Sequence, residues 1–272
     1  MGAGRRRPSR VPRRTPQEIE KLKTAGQIVG ETLALLRERL VPGVTGLELD
    51  KLAEEHLRSR GAAPSFKGYR DYPATICLEV DEVVVHGIPN GTPLAAGQLV
   101  GLDLGGYREG FHADAAFSAV VGEASAEQQE LLATTEASLW AGIAQARAGH
   151  RLKRISQAIQ ECAEAGGYAV VRQLVGHGIG EQIHGPPQVP NFYSPGEFAD
   201  YELVLQPGMV LAIEPMVNAG TAQVVVAEDG WTVRTADGRL SAHFEHTVIV
   251  TGSEPLILTL AEGARYLANG QG

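Results

Sequence analysis

Four carboxylates and one histidine in this 272-residue chain stand where none of them is easily satisfied alone. Asp103 and Asp114 lie within Leu99–Ser118 (LVGLDLGGYREGFHADAAFS), Glu214 within Met209–Val217, Glu245 within Ser241–Val250, and His177 within Gly176-His177-Gly178-Ile179-Gly180. Around each acid, apolar residues alternate with small or polar ones, the period of a half-buried strand. An unpaired charge in such a strand is costly, so these acids require a proton or a cation. Their charges sum to −4, which two divalent ions would neutralise in a site of bridging carboxylates, the ions about 3.5–4 Å apart. Oxygen donors with one imidazole favour manganese, iron, cobalt or zinc, and differ from the cysteine-rich set of structural zinc.

The elements that must bring these residues together are partly readable. Leu99–Ser118 reads as a hairpin with its turn at Arg108-Glu109-Gly110, where Gly110 can take a positive φ. With Arg108 and Glu109 as the loop, Asp103 directly faces Asp114, at a Cβ separation of about 5 Å where like charges repel. A bulge at Gly110 would shift that register by one, and two solvated acids on an exposed hairpin is the plainer alternative. Thr15-Pro16-Gln17-Glu18, Thr45-Gly46-Leu47-Glu48 and Ser125-Ala126-Glu127-Gln128 are capping boxes that open helices. A fourth helix is expected over Leu152–Ala165, with Cys162 on its apolar face. Strands are expected at Ile76–Val85, Tyr168–Val175, Met209–Val217, Thr221–Ala227 and Ser241–Val250, and a loop over residues 62–75. The order helix, helix, strands thus occurs twice, which suggests a duplicated α+β unit with its active site between the halves.

Composition bounds the rest. Hydrophobic residues make up 43% of the chain and charged residues 21%, ordinary for a soluble globular protein. No apolar run approaches a membrane span, and the N-terminus lacks the apolar core of a signal peptide. Two cysteines, Cys77 and Cys162, suggest no disulfide framework, so a cytoplasmic location is expected. Residues 1–14 carry six arginines and no acid, leaving 18 basic and 32 acidic residues in the remainder. This segment is expected to be a disordered basic arm able to touch RNA or another polyanion, with residues 15–272 as a single catalytic domain. No G-x-S-x-G elbow and no phosphate-binding G-x-x-x-x-G-K-[ST] loop is present.

Residues 15–252 resemble a type I methionine aminopeptidase of the pita-bread fold. The matching segments are VVVHGIP (83–89), DLGGYREGFHAD (103–114), GHGIGEQIHGPPQVPN (176–191), AIEPMVNAG (212–220) and GWTVRTADGRLSAHFEHT (230–247). The resemblance implies two pseudo-symmetric halves, with a curved, mainly antiparallel sheet backed by two pairs of helices. It also implies two divalent metal ions: Asp103 on one, Asp114 and Glu245 bridging both, His177 and Glu214 completing the other. His86 and His184 match the histidines that hold the substrate around the scissile peptide. Tyr69, Tyr72, Cys77 and Trp231 match positions lining the methionine side-chain pocket. The implied reaction is attack of water acidified by the ions on the first carbonyl. In that reaction Glu214 shuttles the proton and His184 stabilises the developing oxyanion. The implied substrates are the N-termini of nascent polypeptides with a small second residue, and a monomer is expected, with ribosome contact through the basic arm.

The chain departs from the family pattern at several places. Gly185 stands where a glutamate commonly follows the second histidine. Asp81 and Glu79 replace the usual Asn and Ser, which puts an auxiliary monovalent-cation site in question. Leu174 and Phe192 also deviate. His56 and His150 read as surface histidines, His112 and His246 as structural neighbours of the acids. The alternatives are a prolidase or aminopeptidase P-like peptidase, or a non-catalytic binding protein of the same fold. The first usually carries a further N-terminal domain, and the second would be expected to have lost metal ligands. The 31-residue step from Glu214 to Glu245 leaves no space for the insertion that marks type II methionine aminopeptidases.

Overall fold

Three helices begin where a threonine or serine and a residue three positions on cap one another. In the computed structural model, which describes residues 10–260, Thr15 with Glu18 opens α1 (Pro16–Arg39), and Thr45 with Glu48 opens α2 (Gly46–Ser59). Ser125 with Gln128 opens α3 (Ala126–Ile143). Each box satisfies backbone N–H groups that the first helical turn leaves unpaired. The fourth helix, α4 (Lys153–Ala165), starts without a side-chain cap and is held by the buried face of Ile155, Ser156, Ile159 and Ala163. Cys162 is only half-buried, one position off that face.

The helices form two packed pairs, α1 with α2 and α3 with α4, and both back a twisted sheet. Its path runs Ala63–Pro64, Leu99–Arg108, Phe111–Val120, Glu245–Ile249, Val210–Ile213, Gly176–Gly178 and Gly185–Val189, every neighbour antiparallel. Ile76–Val80 also pairs with Leu99–Arg108, and Leu256–Ile257 with Glu245–Ile249. The expected pita-bread architecture is therefore present, with helix pair then strands occurring twice along the chain. One face of the sheet is the core: Leu102, Leu104, Ala113, Ala115, Phe117, Leu211, Ile213 and Val248 pack with Ile28, Val29 and Leu36 of α1 and Leu139 and Ile143 of α3. The opposite face carries the acids.

Several expected strands are interrupted, and the breaks matter. Met209–Val217 divides into Val210–Ile213 and Met216–Asn218, parted by Glu214-Pro215. Ser241–Val250 divides at Phe244 into Ser241–His243 and Glu245–Ile249. Proline cannot donate to a ladder, so with Pro215 ahead the first strand stops at Ile213 and Glu214 falls in the break. Ile76–Val85 divides at Asp81, whose φ of 54° makes a tight turn before Val83–Val85. Tyr168–Val175 contains only Ala169–Val170 as strand, and Thr221–Ala227 only Val224–Val226.

Two readings of the hairpin and the histidines change. The turn is Glu109-Gly110, both at positive φ (50° and 92°), the two-residue form that matches strand twist. Asp103 consequently pairs with Ala116 and Asp114 with Gly105, rather than with each other. His56 is no free surface residue: its Nδ1 lies 2.8 Å from Thr32 Oγ1, joining α2 to α1. His150 is half-buried, with Nδ1 3.1 Å from the Gln145 carbonyl.

Residues 1–9 of the expected basic arm lie outside the described residues, but its last residues are docked. The Arg14 backbone N–H donates to the Gly208 carbonyl at 2.8 Å, and its guanidinium donates to Glu181 and lies 5.4 Å from the centre of the Phe111 ring. Among the described residues no helix is long and apolar enough to cross a membrane.

Candidate metal centre and substrate pocket

Strand register alone gathers the five residues on one face. Directly opposed residues of antiparallel neighbours point to the same side, as do residues two apart on one strand. Across the sheet, Asp103 pairs with Ala116, and Ala116 pairs with Glu245. Glu214 follows Ile213, whose partner is His246, and so continues that register toward Glu245. The adjacent row runs from Gly105 to Asp114, then Thr247, Ala212 and His177. Thr247 links to Asp114 through two hydrogen bonds: its Oγ1 accepts from the Asp114 N–H at 2.9 Å and donates to the Asp114 carbonyl at 2.8 Å. Ala116, Gly105 and Ala212 are the small residues between the charged ones. They leave a hollow over the sheet.

That hollow opens into a cavity of about 330 Å³. Asp103, Asp114, His177, Glu214 and Glu245 all line it. His177 Nε2 lies 3.4 Å from Glu214 Oε1, and Asn191 Nδ2 donates to the Glu214 carbonyl at 3.0 Å, securing the end of that strand. One ligand atom each from Asp114, His177 and Glu245 lie within 4.8 Å of one another. Asp103 Oδ1, Asp114 Oδ1 and Glu245 Oε1 are buried without a hydrogen-bond partner.

The electrostatics describe a site built for cations. Burial and then the neighbouring carboxylates push Asp103, Glu214 and Glu245 well above the usual carboxylate range. Burial raises Asp114 to about 7. Burial also drives His177 down to about 3, leaving a neutral imidazole whose lone pair is free to ligate. Bound cations would let the acids ionise, and would find the imidazole already in the neutral form that ligates. The orphaned oxygens and the donor types fit divalent metal ions.

The other end of the cavity is apolar. Phe66, Tyr72, Ala74, Cys77 and Ile183 form a buried cluster, with Tyr69, Ile88 and Trp231 packed on it. Tyr72 and Trp231 meet edge to face at 5.0 Å, and the Tyr72 hydroxyl donates toward the carbonyls of Ile76 and Gly87 at 3.0 and 2.9 Å. Cys77 stands opposite Asp103 across the strands, where burial and then Asp103 push its thiol well above the normal range. His184 is at the mouth, its ring 4.5 Å from that of His177 and 5.1 Å from that of Tyr69. His86 enters from a left-handed backbone (φ 60°), its ring 6.3 Å from Trp231, and burial lowers its pKa to about 4. Every site residue expected from the sequence therefore borders this one cavity.

The sequence reading left out Phe66, Arg70, Ile183 and Met216 as neighbours of the site. Phe66 and Arg70 lie in an irregular stretch with no periodicity to follow, where Arg70 and Asp71 hold φ of 48° and 69°. His243, expected on the strand face of Glu245, also borders the cavity, and its buried ring contacts Glu79. His112 and His246 do take structural partners: Ser65 Oγ and Thr259 Oγ1, each at 2.8 Å. Asp81 accepts the Leu99 N–H at 3.0 Å and so braces the start of the hairpin.

Residues 20–252 match the model of metallopeptidase family M24. A methionine aminopeptidase of Clostridium perfringens is 49% identical over 243 residues, covering 89% of this chain and 96% of that protein. The crystal structure of methionine aminopeptidase from Rickettsia prowazekii superposes with a TM-score of 0.88 at 36% identity, over 92% of this chain and 100% of that one. The crystal structure of the Thermotoga maritima methionine aminopeptidase gives the same TM-score at 41% identity, with the same coverage.

Proposed function

The chain belongs to metallopeptidase family M24, and from that premise we propose that it acts as a type I methionine aminopeptidase, a hydrolase that removes the N-terminal methionine from new polypeptides. The observation that carries this reading is the cavity's two-ended character. Four carboxylates and an imidazole line one end, and an aromatic, apolar pocket forms the other.

Two divalent cations, drawn from cobalt, manganese, iron and zinc, would polarise the scissile carbonyl and acidify water at this site. Asp103 would serve one ion, Asp114 and Glu245 both, and His177 and Glu214 the other. The chain's own groups do the rest. Tyr69, Tyr72, Cys77 and Trp231 take the methionine side chain and exclude water from it. His184 at the mouth and His86 opposite carry neutral imidazoles that hydrogen-bond the peptide around the scissile bond. Such a donor stabilises the charge that develops on the carbonyl oxygen. Glu214, against His177 and raised by burial, is suited to take a proton and deliver it to the leaving amine. The free α-amino group of the substrate confines cleavage to the first residue. Limited room beyond it favours a small second side chain.

Residues 15–272 act as one catalytic domain, monomeric and cytoplasmic in this reading. The basic segment 1–14 supplies a contact for ribosomal RNA, whose phosphates complement its arginines. The function is tested by stripping the full chain with a chelator and assaying Met-Gly-Met-Met against a proline-containing dipeptide as each metal is restored. Methionine release that returns only with metal is expected. Metal-independent turnover, or preference for the proline substrate, would refute the reading.

A further inference from the structure

Beside the five ligands lies a second buried acid–imidazole pair, Glu79 and His243, which the reaction above does not use. His243 Nδ1 is 3.0 Å from Glu79 Oε1, and both residues are only 2% exposed. As a neutral imidazole, His243 can donate its Nδ1–H to this carboxylate. Nε2 is then left with a bare lone pair. It is buried and has no hydrogen-bond partner, and His243 borders the cavity with Asp103, Asp114, Glu214 and Glu245. One ligand atom each from Glu79, Asp103 and His243 lie within 4.8 Å of one another.

The surrounding chain holds this arrangement in place. Ser118 locks the His243 backbone from both sides: its Oγ accepts the His243 N–H at 3.0 Å and donates to the His243 carbonyl at 2.9 Å. Glu79 pairs with Gly101, where any Cβ would collide with Glu79 Oε2, so the glycine provides the space for the carboxylate. A histidine that ligates metal characteristically donates its other ring N–H to a carboxylate, which fixes both tautomer and ring orientation. Glu79 and His243 have that relationship, and His243 borders the cavity that the carboxylates line.

We propose that His243 is a second imidazole ligand of the metal centre, on the side of Asp103, held in its metal-binding tautomer by Glu79. The inference rests on the two-metal reading above. A second nitrogen donor among carboxylates tilts the centre away from magnesium and calcium toward zinc, cobalt, iron or nickel.

The test counts imidazoles. Full-length protein with ¹⁵N-labelled histidine side chains is stripped of metal and titrated with zinc chloride while ring-nitrogen shifts are followed. Two imidazoles, those of His177 and His243, are expected to move to metal-bound positions. His243→Gln should remove one of them and weaken one zinc equivalent by about 10–100-fold, leaving the His177 signal in place. Glu79→Gln should keep both signals but weaken the same equivalent. A single shifting imidazole in the unaltered protein, or a second signal that persists in His243→Gln, overturns the proposal while leaving the two-metal reading intact. If no imidazole shifts, both fail. The count in the unaltered protein decides the matter even if His243→Gln does not fold.

Discussion

Asp103 and Asp114 meet diagonally across the hairpin, because Asp103 pairs with Ala116 and Asp114 with Gly105. The Glu109-Gly110 turn displaces the strands by two residues from the register in which the acids would face one another. A displacement of one would have sent them to opposite faces, whereas two preserves the face because side chains alternate with period two. The diagonal leaves small residues opposite each acid and space for cations between rows. It also lets Asp114 stand in the row of Thr247 and His177 while Asp103 stands in the row of Glu245.

That placement predicts unequal effects of removing the two acids. Asp114, with His177 and Glu245 within ligand distance of one another, is expected to serve both ions. Asp114→Asn should lose nearly all bound metal and activity, while Asp103→Asn should retain about one ion per chain. Metal content after gel filtration, measured by mass spectrometry, decides the matter. Equal loss in both variants would refute the division.

The pH dependence of metal stabilisation has a definite sign. Asp114 is raised to about 7, so the folded metal-free protein holds a proton there that the unfolded chain releases near pH 4. This contribution falls away as pH rises through the window between those values. His177, lowered to about 3, acts oppositely: the unfolded chain gains a proton below about pH 6.5 that the folded chain refuses, so its contribution falls as pH drops. Metal ions need the acids ionised and the imidazole neutral; folded His177 is already neutral at pH 5, so the carboxylates are what favour binding at higher pH. The rise in melting temperature on adding saturating manganese should therefore be larger at pH 8 than at pH 5. An equal rise at both would contradict the assigned ligands.

Cys77 is expected to be a wall and not a nucleophile. Burial and the adjacent Asp103 push its thiol well above the normal range, so the thiolate is scarce at neutral pH. Cys77→Ala should leave kcat nearly unchanged and raise KM for methionyl peptides by no more than about tenfold, the effect of a slightly enlarged apolar pocket. Steady-state kinetics check this, and iodoacetamide should inhibit the unaltered protein only slowly. A loss of kcat exceeding about 100-fold would assign the thiol a chemical role.

The sequence determined the local and the compositional features. The three capping boxes needed only residues three apart, and all three form. Alternation placed Asp103, Asp114 and Glu245 on strand faces, since the side-chain period of a strand is a local property, whereas Glu214 falls in the break just past its strand. The motif spacing around His86, His177, His184 and Trp231 pointed to residues that do border one cavity. Tertiary structure decided the rest. The hairpin register depended on Glu109 accepting a positive φ, which its residue type does not advertise. The strand break at Glu214-Pro215 follows from the proline, but no local signal marks the one at Phe244. Phe66, Arg70 and Ile183 reach the pocket from stretches without periodicity, so nothing local marked them. Glu79 and His243 are 164 residues apart, and only the folding of one strand against another brings the acid to the imidazole. Spacing along the chain records which face a side chain takes, but pairing across it is set by packing energy summed over the whole molecule.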